Sequence, residues 1–214
     1  MRRLIHLIMS PSSRLVRLAL GEKRLACELT AAEDPLAHLP VFVDEDGTTA
    51  VGLWAIVDHL ESEHPDVPLV PADAPARGDA LRLLDWIMGN FHEQVTKRVV
   101  FEKASQAHTG SVTRRPPNMD TVRAGRDALK ATLQRLSNIA DTRGFIAGRD
   151  ISLADLALAA HLSALDYYGE IAWAEFPQLA DWYVRMKSRP SFRSLLGDRV
   201  PGQPPVPHYS ELDF

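Results

Sequence analysis

The sequence predicts a small α/β layer followed by an all-helical unit, and three observations carry that expectation. Through residue 63 the apolar pattern runs strand, helix, strand, then strand, strand, helix, the order of a mixed sheet with helices packed on it. Residues 64–75 then hold Pro65, Pro68, Pro71 and Pro75, a linker composition that interrupts both periodicities. Beyond the linker the strand signals stop, and Leu- and Ala-rich segments repeat at helical spacing. The expected organisation is an α/β unit over residues 1–63, a linker over 64–75, a helical unit over 76–196 and a proline-rich tail over 197–214.

The totals fit a globular chain. Of 214 residues 45% are hydrophobic and 24% charged, with a formal net charge of -4, so bulk electrostatics do not favour nucleic acid. Cys27 is the only cysteine, which precludes an intrachain disulfide and fits a reducing compartment. Residues 4–9 are too short for a secretory leader, and no apolar run approaches the roughly 20 residues of a membrane span. The expected location is cytoplasmic, without membrane insertion.

The first apolar run, RLIHLIM at residues 3–9, reads as a buried strand. Ser10, Ser12 and Ser13 follow Met9, and Leu15, Val16, Leu18 and Leu20 continue at helical spacing up to Gly21. Residues 25–29 give a second strand. Pro40 opens a third, Asp46-Gly47 is a hairpin turn signal, and residues 48–51 return as the partner strand. Residues 53–63 form an amphipathic helix with Ile56, Val57 and Leu60 inward. In the helical unit, residues 76–107 read as one long helix, with Leu81, Leu84, Met88, Phe91, Val95 and Val99 on one face. A second helix spans 120–140, where Leu129, Leu133, Leu136 and Ala140 repeat. Residues 176–188 pack through Leu179, Trp182, Tyr183 and Met186, and a last short helix covers 190–196.

The organising stretch is GFIAGRDISLADLALAAHLSALDYY, residues 144–168. Ser152 is placed as an N-cap, Asp155 as its capping-box partner, and Ile151 with Leu156 as a hydrophobic staple. The following helix is apolar nearly all round, which predicts a buried central pillar.

FIAGRDISLADL, the Leu39-Pro40-Val41 junction and DWYVRMKSRPSF at residues 181–192 together resemble the cytosolic glutathione S-transferase family over residues 3–196. The resemblance implies a thioredoxin-like N-terminal domain, an all-α C-terminal domain and a cis bond before Pro40. It also implies a hydroxyl or thiol near the end of the first strand to stabilise the glutathione thiolate, where Ser10, Ser12 and Ser13 lie. An acidic-Ser/Thr pair opening the next helix should hold the γ-glutamyl end, but those positions align with Gly52 and Leu53. Charge-assisted bonds contribute about 1.5–3 kcal/mol each, so losing two weakens glutathione by roughly two to four powers of ten. The segment before Pro40 is also short for the family. No glutathione or other cofactor is therefore expected.

ALDYYGEIAW (residues 164–173), KRVVFEKASQ (97–106) and PGQPPVPHYSELDF (201–214) resemble a narrower group, the glutathione-transferase-like cell-division proteins of α-proteobacteria of the FzlA type. That resemblance implies a non-enzymatic homodimer at the division site that binds the tubulin-like protein FtsZ and promotes filament curvature and constriction. Aromatics in the proline-rich tail suit docking, either back onto the body or onto another protein, for which a second division protein is the candidate. The alternative is a glutathione S-transferase using Ser10 or Ser13, although helix capping accounts for the same hydroxyls.

The partner-facing residues expected from sequence are Trp54, the basic cluster Lys97, Arg98, Lys103, Arg114 and Arg115, and the tail residues His208, Tyr209, Leu212, Asp213 and Phe214. Trp54 has competing roles as core residue, pocket filler or partner contact. His6 and Cys27 read as core residues, since neither has metal-spaced companions, and no metal is expected. Pro40, Ser152 and Asp155 are structural.

Overall fold

The computed structural model describes residues 1–104, 106–110, 116–142 and 144–212. Its sheet has the order β2-β1-β3-β4, formed by β1 (Arg2–His6), β2 (Cys27–Ala31), β3 (Val41–Val43) and β4 (Thr49–Val51). β1 runs parallel to β2 and antiparallel to β3, and β3 pairs antiparallel with β4. The register sets Leu4 opposite Phe42, and both are fully buried. This is the mixed sheet that the strand-helix-strand and strand-strand-helix order predicts. The Leu39-Pro40 bond is cis.

Helices α1 (Pro11–Glu22) and α2 (Leu53–Glu63) complete this layer, and α2 has the bounds read from the sequence. The helical unit contains α3 (Ala74–Trp86), a π-helical segment (Ile87–Thr96), α4 (Lys97–Lys103), α5 (Gln106–Thr109) and α6 (Met119–Thr142). It continues with α7 (Leu153–Tyr167), α8 (Pro177–Lys187) and α9 (Arg193–Leu196). The pillar is α7. Every one of its residues is buried, and α1, α3, α4 and the π-helical segment all pack on it.

Asp155 terminates the pillar's first turn as a hub. Its carboxylate accepts from the Ser152 N–H at 3.0 Å, the Ser152 hydroxyl at 2.9 Å and the Ile146 N–H at 2.7 Å. The capping-box expectation is met, and the added Ile146 bond ties the 144–152 loop to the helix start. The linker is anchored at the same end, since Leu153 N–H donates to the Leu69 carbonyl at 2.9 Å.

The expected single helix over 76–107 is corrected. It widens into the π-helical segment and ends at Lys103. The core face is Leu84, Ile87, Phe91, Val95 and Val99, whereas Leu81 is exposed. Steps of four between Ile87, Phe91, Val95 and Val99 exceed the 3.6-residue α period, and an underwound segment leading into α4 keeps all four side chains buried.

Candidate functional site

The end of β1 is where the sequence places the thiolate-stabilising hydroxyl. Ser10 is the N-cap of α1, yet its side chain makes no capping bond. Ser13 is fully buried, and its hydroxyl accepts the Leu7 N–H at 3.1 Å, so it closes off the strand end. Capping by Ser10 is thus corrected, and local backbone bonding by a serine is found one turn later. α5 itself lies against the same place: Met9 N–H donates to the His108 carbonyl at 2.8 Å. Gly110 takes φ +74 with no room for a Cβ, which would lie 2.9 Å from the Pro35 carbonyl oxygen and 3.0 Å from Leu7 Cδ1.

The other half of the expected thiol-peptide site is also rebuilt. Gly52 has φ +86, and a Cβ there would sit 2.5 Å from His38 Nε2. An imidazole occupies the space where a larger residue 52 would begin. Leu53 is buried as the first residue of α2. Trp54 is 55% exposed beside exposed Val51, so it is neither core nor pocket filler.

The tail docks on the body. α1 supplies Arg14 and Arg17, both buried although amphipathic helices normally turn such residues outward. Arg17 grips Asp198 with two bonds, Nη1 to Oδ2 at 3.0 Å and Nη2 to Oδ1 at 2.9 Å, and Arg14 Nη2 reaches Asp198 Oδ2 at 2.9 Å. Arg14 also donates to the Ile8 carbonyl, the Ser163 hydroxyl and, at 3.1 Å, the Tyr209 hydroxyl. Tyr209 in turn donates to the Leu195 carbonyl at 2.9 Å.

The three motifs of the narrower resemblance meet here. Within ALDYYGEIAW, the Tyr167 hydroxyl donates to the Gln203 carbonyl at 2.8 Å and accepts from Val200 N–H at 2.8 Å. Val206 N–H bonds the Tyr167 carbonyl, and the Gln203 amide bonds the Lys103 carbonyl at 3.0 Å. Asp166 is fully buried and accepts from Trp173 Nε1 at 2.8 Å, with His208 Nε2 at 3.2 Å and Lys187 Nζ at 3.9 Å. Burial pushes the Asp166 carboxyl above its usual range, opposed by the Trp173 bond and the Lys187 charge. Glu170 pairs with Lys103 and, at 2.7 Å, with Arg126. Against the cost of burial, bonds from Arg126 and Lys103 hold its carboxyl below the usual range.

These contacts revise the partner-facing set. Tyr209 is fully buried, so it is an anchor of the tail and is withdrawn as a partner contact. His208 is partly covered through Asp166, while Leu212 is 44% exposed. Lys97 pairs with Glu93 at 2.9 Å but stays exposed, whereas Lys103 is committed to the buried Glu170 side chain and is withdrawn as a partner contact. Arg98 is half-buried against Gly125 of α6. Arg114, Arg115, Asp213 and Phe214 lie outside the described residues.

His6 is buried, as expected, and Cys27 is half-buried. Burial pushes the Cys27 thiol up to about 11, which makes it a poor nucleophile. Sequence reasoning missed one cluster of metal-ligating side chains: Asp44, His59 and His64 bring their ligand atoms within 4.8 Å of one another. They come from a hairpin and a helix end; His59 and His64 have the H-x4-H spacing of half a zinc pattern, but no second ligand pair accompanies it in sequence.

Sheet order, pillar, cis junction and helical unit define a protein of the glutathione S-transferase fold. Family models for the glutathione S-transferase N-terminal domain match residues 4–75, and for its C-terminal domain residues 119–185. The chain is 37% identical to "FtsZ-localized protein A" of Caulobacter vibrioides, over 100% of this chain and 98% of that protein. The structure described as FzlA from C. crescentus superposes with a TM-score of 0.91 at 36% identity, covering 100% of this chain and 99% of that one. A structure described as a glutathione S-transferase from Rhodospirillum rubrum F11 gives a TM-score of 0.93 at 37% identity, covering all of both chains. The chain belongs to the glutathione S-transferase-like family that includes FtsZ-localized protein A.

Proposed function

We propose that this chain is a non-enzymatic cell-division regulator that binds FtsZ filaments and promotes their curvature as a transferase-fold dimer. The observation that carries the reading is the 37% identity to FtsZ-localized protein A across the whole chain, tail included. The rebuilt thiol site supports it: Ser13 bonds Leu7, His38 fills the space at Gly52, and the backbone of His108 bonds Met9. A two-fold dimer presents one surface twice, so it bridges filament subunits at a set angle and gains strength along a polymer by avidity. Its place of action is the cytoplasm at the division site. Trp54, Lys97, Arg98, Arg114 and Arg115 are candidate contacts, and Leu212, Asp213 and Phe214 are candidates for a second division protein.

Co-sedimentation with FtsZ polymers tests the reading; absence from the pellet at micromolar protein would sink it. Glutathione titrated into the same preparation should give no heat up to millimolar concentration. Sub-millimolar binding would restore the transferase reading, with Ser10 as the remaining thiolate partner because its hydroxyl is not used in capping. The tail is best tested by deleting residues 212–214. Deleting 201–214 also removes the Tyr209 anchor and confounds loss of a partner with loss of stability.

A further inference from the structure

We propose that Asp44, His59 and His64 form a site for one zinc ion with a coordination position left open. The site is independent of the functional reading above. Asp44 follows β3 and opens the hairpin, its N–H donating to the Thr48 carbonyl at 2.9 Å. His59 stands on α2 and His64 is that helix's C-cap. Both imidazoles approach one carboxylate oxygen: His59 Nε2 lies 2.8 Å and His64 Nε2 2.9 Å from Asp44 Oδ2. The other oxygen, Oδ1, accepts from Glu45 N–H at 2.7 Å and lies in an ion pair with Arg2, Nε being 2.9 Å away. The carboxylate is thereby oriented from behind, with one oxygen presented to the histidines, as outer partners orient the ligands of metal centres.

Two imidazoles and one carboxylate are a donor set that zinc accepts, usually with water in the fourth position. At ligand distances of about 2.0–2.1 Å, tetrahedral geometry separates donor atoms by about 3.3 Å. The present 2.8 and 2.9 Å contacts need to open by only roughly 0.5 Å to admit the ion. The charges nearby also suit a cation. Arg2 opposes it, but Asp44, Glu45 and Asp46 lie together on the hairpin and Arg2 is itself paired with Glu45. The histidine side chains are 12% and 20% exposed, so solvent reaches their edges and can supply the fourth ligand. On binding, each neutral imidazole carries its proton on Nδ1 and offers Nε2 to the ion. The ion then fastens the β3–β4 hairpin to the C-terminal end of α2, the helix whose first turn carries Trp54.

The test uses tag-free, chelator-treated full-length protein. Calorimetric titration with zinc chloride should show one saturable site per chain, zinc should raise the melting temperature, and Co2+ should give the intense visible bands of four-coordinate nitrogen and oxygen ligation. His59→Gln and His64→Gln keep a donor for Asp44 and remove a ligand. Each should weaken binding by more than the roughly 10–100-fold that losing an outer-shell partner costs, and abolish the thermal shift. Absence of saturable binding to the wild type overturns the proposal, as does unchanged affinity in both folded variants. Should a variant fail to fold, the wild-type Co2+ spectrum decides: a thiolate charge-transfer band or octahedral bands would place the ion elsewhere.

Discussion

Replacing Asp198 with Ala should be among the most damaging single substitutions in the chain. The carboxylate is shared by Arg14, whose side chain is 0% exposed, and Arg17, at 2%. Removing one member of a buried pair costs about 3–5 kcal/mol because the other charge is left uncompensated. Here two charges are stranded, which argues for the upper end. Neutral acceptors remain, since Arg14 keeps the Ile8 carbonyl, Ser163 and Tyr209, and Arg17 keeps the Ser194 carbonyl. Hydrogen bonding therefore survives in part while charge neutrality does not, and about 4 kcal/mol is expected. Against a typical total of about 5–15 kcal/mol this is a large fraction. Urea unfolding followed by the fluorescence of buried Trp182 and Trp173 gives the value by linear extrapolation. Asp198→Asn, which retains one acceptor, should fall between Ala and wild type. A loss below about 1 kcal/mol for the Ala variant would refute the reasoning, because an uncompensated buried charge costs several times that.

Two further outcomes follow from buried groups. His6 is pushed down from 6.5 to about 4 by burial and then by the Arg17 charge, so between those values the unfolded chain binds a proton that the folded chain refuses. This contribution is complete above pH 6.5 and is lost as pH falls toward 4, amounting to about 3 kcal/mol. His6→Met should flatten the acid limb of a stability-against-pH curve by that amount; an unchanged limb would contradict the assignment. Asp155→Ala leaves three donors without their acceptor and should cost about 3 kcal/mol in the same urea assay. Asp155→Asn should cost less, and equal losses for the two would show that the carboxylate oxygens do not act as described.

The pillar and the sheet were legible because their signals are local. Ser152, Asp155 and the all-apolar run after them announce a buried helix, and Asp46-Gly47 announces a hairpin. The π-helical segment was less legible, although the steps of four from Ile87 to Val99 were its trace. Departure at Gly52-Leu53 could be read from the sequence, but not that His38 fills the space, because His38 arrives from a segment without periodicity. Arg14 and Arg17 look like solvated charges on an amphipathic helix. Only Asp198, far along the chain, makes their burial tolerable, and no local pattern signals it. The same holds for Tyr209: aromatic character suggested docking, while the choice between body and partner depended on an arginine in the first helix. Asp44, His59 and His64 are likewise joined only by the tertiary fold.

The salt bridge between α1 and Asp198 spans 184 residues, and the Arg14–Tyr209 bond spans 195. During synthesis α1 is made long before Asp198, so its two guanidinium groups lack their counter-charge until that residue has been added. Final packing of the first helix against the pillar is thus a long-range step, completed only once Asp198 is within reach. A chain truncated before Asp198 keeps both guanidinium groups without that counter-charge, and the stability lost leaves it more open to proteolysis.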